Sequence, residues 1–291
     1  MYRNQRIKTL ATLVRGGWLR TFVIWAGLVI SAGPAFAQYS LKGWGNGGGC
    51  IGDGTTDKRT TPVLVDDGTG TGGKFIVVSA GYNHSLGIKE DGSLWVWGEN
   101  TFSQLGDGAT ATRTSPYMLD DGKGPGGKWV AINASAEYSQ GIKEDGSLWA
   151  WGSNTTGYLG DGTTNGRSTP LKIDDGTGSH GKWVFIEGGG NIFLLYGHAV
   201  GIREDGSLWT WGDNSQKQLG DGTTTKALQP KMIDDGTGAA GKWIAATCGM
   251  AYTVAIRENG SLWAWGQNLA NQLGDGTSTN RNTPTQIDPG T

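Results

Sequence analysis

The sequence predicts an all-β fold, a β-propeller of four-stranded blades, on three observations. A unit of about 54 residues returns in tandem from Gln38 onward, 53 glycines in 291 residues mark tight turns in place of helices, and the strongest strand of each copy is apolar on both faces. The segment Ser93-Leu94-Trp95-Val96-Trp97-Gly98 recurs at 147–152, 207–212 and 261–266, with a degraded copy, Ser40-Leu41-Lys42-Gly43-Trp44-Gly45, at the start. Its second tryptophan stands at 44, 97, 151, 211 and 265, so the spacings are 53, 54, 60 and 54 residues.

Each unit reads as four short strands. Phe75 to Ser79 is an apolar run. Ser85 to Lys89 and Ser93 to Trp97 alternate on either side of Glu90-Asp91-Gly92, a hairpin turn whose glycine supplies the positive φ. The fourth strand, Pro62 to Val65 in the first unit, is headed by a proline, which has no amide for a central ladder and so marks a strand start or edge. Gly-Asp-Gly follows each Trp-Gly, with its aspartate at Asp53, Asp107, Asp161, Asp221 and Asp275, and a proline stands nine residues later each time. A Gly-Lys-aromatic step keeps the same register at Phe75, Trp129, Trp183 and Trp243. The units are therefore 38–72 (partial), 73–126, 127–180, 181–240 and 241–291. In Leu94-Trp95-Val96-Trp97 both faces need cover, and sheets stacked radially, each covered by its neighbours, provide it.

Residues 1–37 read as an export signal to be set aside from the fold. They carry five basic and no acidic residues, then the apolar run Thr21 to Ala32, then Pro34-Ala35-Phe36-Ala37, where Ala35 and Ala37 fit a small-x-small cleavage site. The apolar run is shorter than the ~20 residues a spanning helix needs. Cleavage after Ala37 and a secreted, periplasmic or envelope location are expected, with no membrane span afterwards. The chain from Gln38 then holds 19 basic against 26 acidic side chains, net −7. That balance argues against nucleic acid, whose binding rests on neutralising phosphates.

All twelve tryptophans after Gln38 fall at two repeat positions, the Trp-x-Trp strand and the Gly-Lys-Trp step. A residue required identically in every copy reads as packing, so Trp97, Trp151, Trp211 and Trp265 are expected in the core and Asp107, Asp161, Asp221 and Asp275 in structural loops. Catalysis finds little material: there are three histidines, His84, His180 and His198, and no Ser-His-acid or paired-carboxylate arrangement stands apart from the repeat. No catalytic residue, metal or cofactor is expected. Gly68-Thr69-Gly70-Thr71-Gly72-Gly73-Lys74 mimics a phosphate loop, but it opens no helix and Phe75 stands where a magnesium-binding hydroxyl belongs. The Asp-Asp-Gly runs at 66, 120, 174 and 234 lack the spacing of a calcium loop and read as turns.

The informative position is where the period breaks. The third unit takes 29 residues from Lys182 to Trp211 where the others take 23, which places an insertion around Gly190 to Gly197. Repeat proteins tend to carry insertions on a binding face. Asn191, Ile192, Phe193, Leu194, Tyr196 and His198 are the candidate binding residues, with the aromatic pair as anchors; a longer hairpin packed on its neighbour is the other reading.

The unit Ala-Gly-x-x-His-Ser-Leu-x-Ile-x-x-Asp-Gly-Ser-Leu-Trp-x-Trp-Gly-x-Asn, with Gln-Leu-Gly-Asp-Gly and Thr-Pro, closely resembles the regulator of chromosome condensation repeat over about Gln38 to Thr291. The resemblance implies a propeller, seven-bladed in the eukaryotic founder. The family's histidine is met by His84 and His198 and replaced by Tyr138 and Tyr252, which suggests a packing and hydrogen-bonding site that either ring fills. Nucleotide exchange on a nuclear GTPase does not transfer to an exported acidic chain. Propeller-type β-lactamase inhibitory proteins are similar in class.

The expected function is a protein-binding module or scaffold. The alternatives are an inhibitor of a secreted or periplasmic enzyme, and a hydrolase or exchange-factor activity. About 4.6 units are present, and the first lacks the strands equivalent to Phe75 to Lys89, so an incomplete ring is expected, covered by further repeats, a partner or self-association through an open blade edge. Cys50 and Cys248 are expected as free thiols, with a disulfide across a closing ring as the alternative.

Overall fold

The computed structural model describes residues 28–31, 40–68, 74–120, 122–173, 181–190, 196–234, 236 and 241–287. Five antiparallel sheets follow one another along the chain. The first holds β1 (Leu28–Ser31), β2 (Ser40–Gly45) and β3 (Arg59–Leu64); the second β4 (Phe75–Ala80), β5 (His84–Lys89), β6 (Leu94–Gly98) and β7 (Arg113–Asp120). The third holds β8 (Trp129–Ala134), β9 (Tyr138–Lys143), β10 (Leu148–Gly152) and β11 (Arg167–Lys172). The fourth holds β12 (Trp183–Gly189), β13 (His198–Arg203), β14 (Leu208–Gly212) and β15 (Ala227–Asp234); the fifth β16 (Trp243–Cys248), β17 (Tyr252–Arg257), β18 (Leu262–Gly266) and β19 (Arg281–Ile287). Strands β4, β8, β12 and β16 adjoin in succession and are the inner strands. The five blades form an arc that does not close on itself.

The turns are those expected from composition. Gly92 sits at φ +87°, its amide reaching the Lys89 carbonyl at 2.9 Å, while Asp91 accepts the Ser93 amide at 2.9 Å and its hydroxyl at 2.6 Å. The outer strand differs from expectation. It starts three residues before its proline, at Arg113, and Gly98 pairs with Arg113 while Val96 pairs with Tyr117. Pro116 thus lies in a bulge on the outermost strand, where no ladder amide is needed.

The first sheet also differs. Strand β1 pairs with β2 from Leu28↔Gly43 to Ser31↔Ser40, in the place that β5 takes in the second sheet. The sequence alone leaves that place empty, and β1 falls inside the segment expected to be cleaved.

Four apolar clusters join the five sheets. In β6, Leu94 and Val96 face the next blade and Trp95 and Trp97 the preceding one. Between the second and third sheets, Leu86, Ile88, Leu94 and Val96 meet Trp129 and Trp151, none more than 2% exposed. Burying one indole of ~200 Å² is worth roughly 5 kcal/mol of transfer free energy, so the repeated tryptophans are the principal adhesive between blades.

The back faces of the second to fifth sheets carry the same cluster. Trp129 meets Trp149 and Trp151 edge-on at 6.3 and 5.9 Å, and Lys143 Nζ lies 4.8 and 5.1 Å from the rings of Trp129 and Trp149 and 2.8 Å from Asp120. Lys89 repeats this with Trp95 and Asp67, and Arg257 with Trp243 and Asp234. Arg203 lies over Trp183 and Trp209 at 4.3 and 4.5 Å.

Candidate functional site

Alternating strand directions sort the loops onto two ends of the arc. One end collects the short loop between a sheet's first two strands and the long loop between its last two. The other collects the Glu-Asp-Gly turns, where Glu90, Asp91, Glu144 and Lys128 are exposed.

The long loops are held by a buried asparagine. Asn100 Nδ2 donates to Asp107 at 2.8 Å and to the Ala109 carbonyl at 3.0 Å, and its Oδ1 takes the Leu105 amide at 3.0 Å. Asp107 also accepts from Arg113 at 2.9 Å. Asn154, Asn214 and Asn268 repeat the arrangement with Asp161, Asp221 and Asp275, so these aspartates organise loops. At Asp275 desolvation works against ionisation, yet bonds from Arg281, Thr277 and Asn268 bring the carboxyl down to about 2.

Large apolar side chains are exposed on this loop end: Tyr82 (57%), Phe102 (46%), Met250 (40%) and Leu269 (71%). Sequence reasoning missed all four, because none is common to every copy and the reading followed what recurs throughout. Among the insertion residues, Asn191, Ile192, Phe193 and Leu194 lie outside the described residues. Tyr196, half-buried, stands in the same place as Tyr82 and Met250, two residues before the His/Tyr position. The root of the insertion is tied down: the Gly197 carbonyl accepts from the Asp213 amide at 2.8 Å and from Thr156 Oγ1 at 3.2 Å. A side chain at Gly197 would collide with the Tyr158 ring. His198 is buried in β13, out of a partner's reach.

The His/Tyr position is an interface lock. His84 Nε2 lies 2.9 Å from Ser139 Oγ on the next sheet, and that hydroxyl donates to the Gln104 carbonyl at 2.7 Å. With its only proton so used, Ser139 accepts, and His84 carries its proton on Nε2. The same carbonyl takes the Trp151 indole at 3.0 Å. His198, Thr253, Gln218 and Trp265 repeat the set two interfaces on, between the fourth and fifth sheets. Where the ring is Tyr138, its hydroxyl donates to the carbonyls of His198 and Gly189 at 3.0 and 3.2 Å, and the facing residue is Ala199. Burial lowers His84 to about 3 and His198 to about 4, so both are neutral.

The remaining chemistry is spent within the fold. Asp67, Asp120 and Asp234 of the Asp-Asp-Gly runs pair with Lys89, Lys143 and Arg257. Among the described residues no group of three or more His, Cys, Asp or Glu could hold a metal. A cleft of about 380 Å³ between the second and third sheets is lined by Tyr117, Pro125 and Pro170 beside the Asp120–Lys143 pair. Cys50 and Cys248 are free thiols.

Comparison with known proteins settles the family. Models of the regulator of chromosome condensation (RCC1) repeat match residues 91–139, 145–195, 205–256 and 259–290, and a second such model matches 75–104. This chain belongs to the regulator of chromosome condensation repeat family. The family unit begins at the Glu-Asp-Gly turn and so straddles two sheets: it joins the last two strands of one blade to the first two of the next. Among its relatives is the human E3 ubiquitin-protein ligase HERC2, 27% identical over 83% of this chain and 5% of HERC2. The Ultraviolet-B receptor UVR8 of Arabidopsis thaliana is 29% identical over 85% of this chain and 53% of the receptor. The chain thus spans a small part of the ligase and about half of the receptor. Of solved structures, human WBSCR16 superposes with a TM-score of 0.72 at 20% identity, covering 86% of this chain and 63% of that one. Prp20p of Saccharomyces cerevisiae, described with its binding to Gsp1p and histones, gives 0.69 at 18%, covering 86% and 59%. These structures confirm the fold.

Proposed function

We propose that this regulator of chromosome condensation repeat chain is an extracytoplasmic protein-binding module that uses its loop end. The observation that carries the reading is the exposure of Tyr82, Phe102, Met250 and Leu269 on one end of the arc, against the charged turns of the other. Exposed aromatic and methionine side chains are the composition of interface centres. Gly190, Tyr196 and Gly197, the roots of the insertion, stand at the same end, and Phe193 and Tyr196 are kept as proposed anchors from the sequence. Protein binding by relatives, as in the structure of Kap60 bound to yeast RCC1 (Prp20), supports the class of function. The secreted or periplasmic location rests on the basic, apolar and Ala35-Phe36-Ala37 pattern of the N-terminus.

The test is a pull-down from envelope proteins of the source cell with the parent chain, the triple variant Tyr82→Asp/Phe102→Asp/Leu269→Asp, and the opposite-end variant Glu90→Lys/Glu144→Lys. A saturable partner lost only with the triple variant is expected. A partner lost only with the opposite-end variant moves the site, and turnover of a substrate overturns the reading. N-terminal sequencing of the exported chain is expected to begin at Gln38.

A further inference from the structure

The loop end brings two carboxylates together across the interface between the second and third sheets. Glu99 opens the long loop of the second sheet, Glu137 closes the short loop of the third, and both are half-buried. Glu99 is fixed by its neighbours, accepting Asn83 Nδ2 at 2.8 Å and Thr101 Oγ1 at 3.1 Å. The Tyr82 amide donates to the Ser135 carbonyl at 3.2 Å, which lays the short loop of the second sheet on that of the third. Burial first, and then the charge of Glu99, raise the Glu137 carboxyl above its ordinary range. Neither carboxylate has an ion pair among the described residues. The loops over these two sheets, 81–83, 99–112, 135–137 and 153–166, contain no lysine or arginine.

Blade packing does not require this pair. The same two places hold Asn46 and Asn83 between the first and second sheets, Ser153 and Gly197 between the third and fourth, and Asp213 and Ala251 between the fourth and fifth. Two like charges held together cost stability, and a local cost that the fold does not need marks a functional surface. Elsewhere this chain completes a carboxylate and an aromatic ring with a cation of its own. Lys143 does so with Asp120 and Trp129, and Arg113 lies 2.7 Å from Asp107 and 4.3 Å over the Tyr117 ring. At the loop end the carboxylates stand beside exposed rings, Tyr82 next to Asn83 and Phe102 next to Thr101, in loops that supply no cation.

We propose that the loop end of the second and third sheets takes a basic segment of a partner protein, a lysine or arginine side chain seated between Glu99 and Glu137 with its apolar neighbours against Tyr82 and Phe102. The inference rests on the loop end being the binding surface and adds the chemistry of what binds there. The occupant is argued from charge complementarity, which sets partner choice and encounter rate. A long basic side chain fits both parts, because its stem covers an aromatic ring while its head meets the carboxylates.

A phage-displayed library of random peptides, panned on the immobilised chain, supplies the probe. The expected binders carry a lysine or arginine beside an aromatic or aliphatic residue. They are expected to lose at least about tenfold in affinity for Glu99→Gln/Glu137→Gln, the equivalent of one hydrogen bond to a charged group. They are expected to weaken on Tyr82→Ser/Phe102→Ser as well, and to bind Glu90→Gln/Glu144→Gln, which removes the same charge from the opposite end, like the parent. Glu137→Gln alone is expected to raise the urea midpoint of the free chain while weakening the binders, since it relieves a repulsion. Binders that ignore Glu99→Gln/Glu137→Gln but fail on Tyr82→Ser/Phe102→Ser overturn the proposal and leave the loop end as the binding surface. Binders that ignore both variants overturn both readings. Equal loss on Glu90→Gln/Glu144→Gln, a library that yields no basic binder, or a lowered midpoint for Glu137→Gln also overturns the proposal.

Discussion

His84 Nε2 lies 2.9 Å from the Ser139 hydroxyl on the next blade, and where Tyr138 takes the histidine's place Ala199 takes the serine's. The chain thus uses two matched pairs for one contact, His with a hydroxyl and Tyr with Ala. Ser139→Ala alone strands a buried N–H and is expected to cost about 1–3 kcal/mol. Adding His84→Tyr is expected to recover most of that loss. Urea denaturation of the parent, both single variants and the double variant closes the cycle; additive costs would show that the two positions are uncoupled.

The buried histidines give stability a defined pH dependence. Their folded values, about 3 and 4, lie below the unfolded 6.5. The unfolded chain therefore binds more protons, and the stabilisation is complete above pH 6.5 and lost progressively as pH falls toward 4. By pH 5 each histidine is expected to cost roughly 2 kcal/mol. Glu187 and Glu137, whose carboxyls burial raises, act in the opposite sense. The loop aspartates, lowered in the folded state, lose their contribution only below 3.8. Denaturation midpoints between pH 4 and 8 are expected to fall less steeply for His84→Tyr/Ser139→Ala than for the parent; equal slopes would remove His84 as the cause.

Lys143 is 3% exposed between Trp129 and Trp149 and paired with Asp120. Lys143→Ala empties the space between two indoles and strips Asp120 of its ion pair, at an expected cost of about 3 kcal/mol. Lys143→Arg is expected to cost less than about 1 kcal/mol, because Arg257 fills the equivalent position against Asp234 at 2.8 Å. Thermal melts rank the two, and equal losses would show that keeping the charge does not preserve the contact.

Burial raises the Cys50 thiol, and burial together with the nearby Glu187 raises Cys248 well above the ordinary range. Since the thiolate is the reactive form, both are expected to react slowly with a thiol reagent at pH 8 in the folded chain and readily once denatured. Intact mass is expected to show two alkyl groups added after denaturation without reductant. No addition would demonstrate a disulfide.

The fold was legible because it is written several times. The Trp-x-Trp strand, the Gly92-type turn and the 54-residue spacing repeat in register, and each repetition confirms the others. The cation between the tryptophans recurs before an acidic turn at Lys89, Lys143, Arg203 and Arg257 but was not read from the sequence, and its purpose shows only when Trp129 and Trp149 are seen on either side of Lys143. The exposed Tyr82, Phe102 and Leu269 were not legible, because a side chain that is not kept from copy to copy looks like noise to an argument built on recurrence.

By itself, then, the sequence determined what is local to one unit: the strands, their turns, the two-faced apolar strand and the aspartate of each long loop. These follow from alternation and backbone preference within a few residues. Only the tertiary structure decided which residues meet across blades. His84 and Ser139 are 55 positions apart, as are His198 and Thr253, and each pair forms only when one sheet's front is laid on the next sheet's back. The apolar pattern specifies that every face must be covered and not by what, so Ile256 and Leu262 read in the sequence like their buried equivalents and are open in the fold.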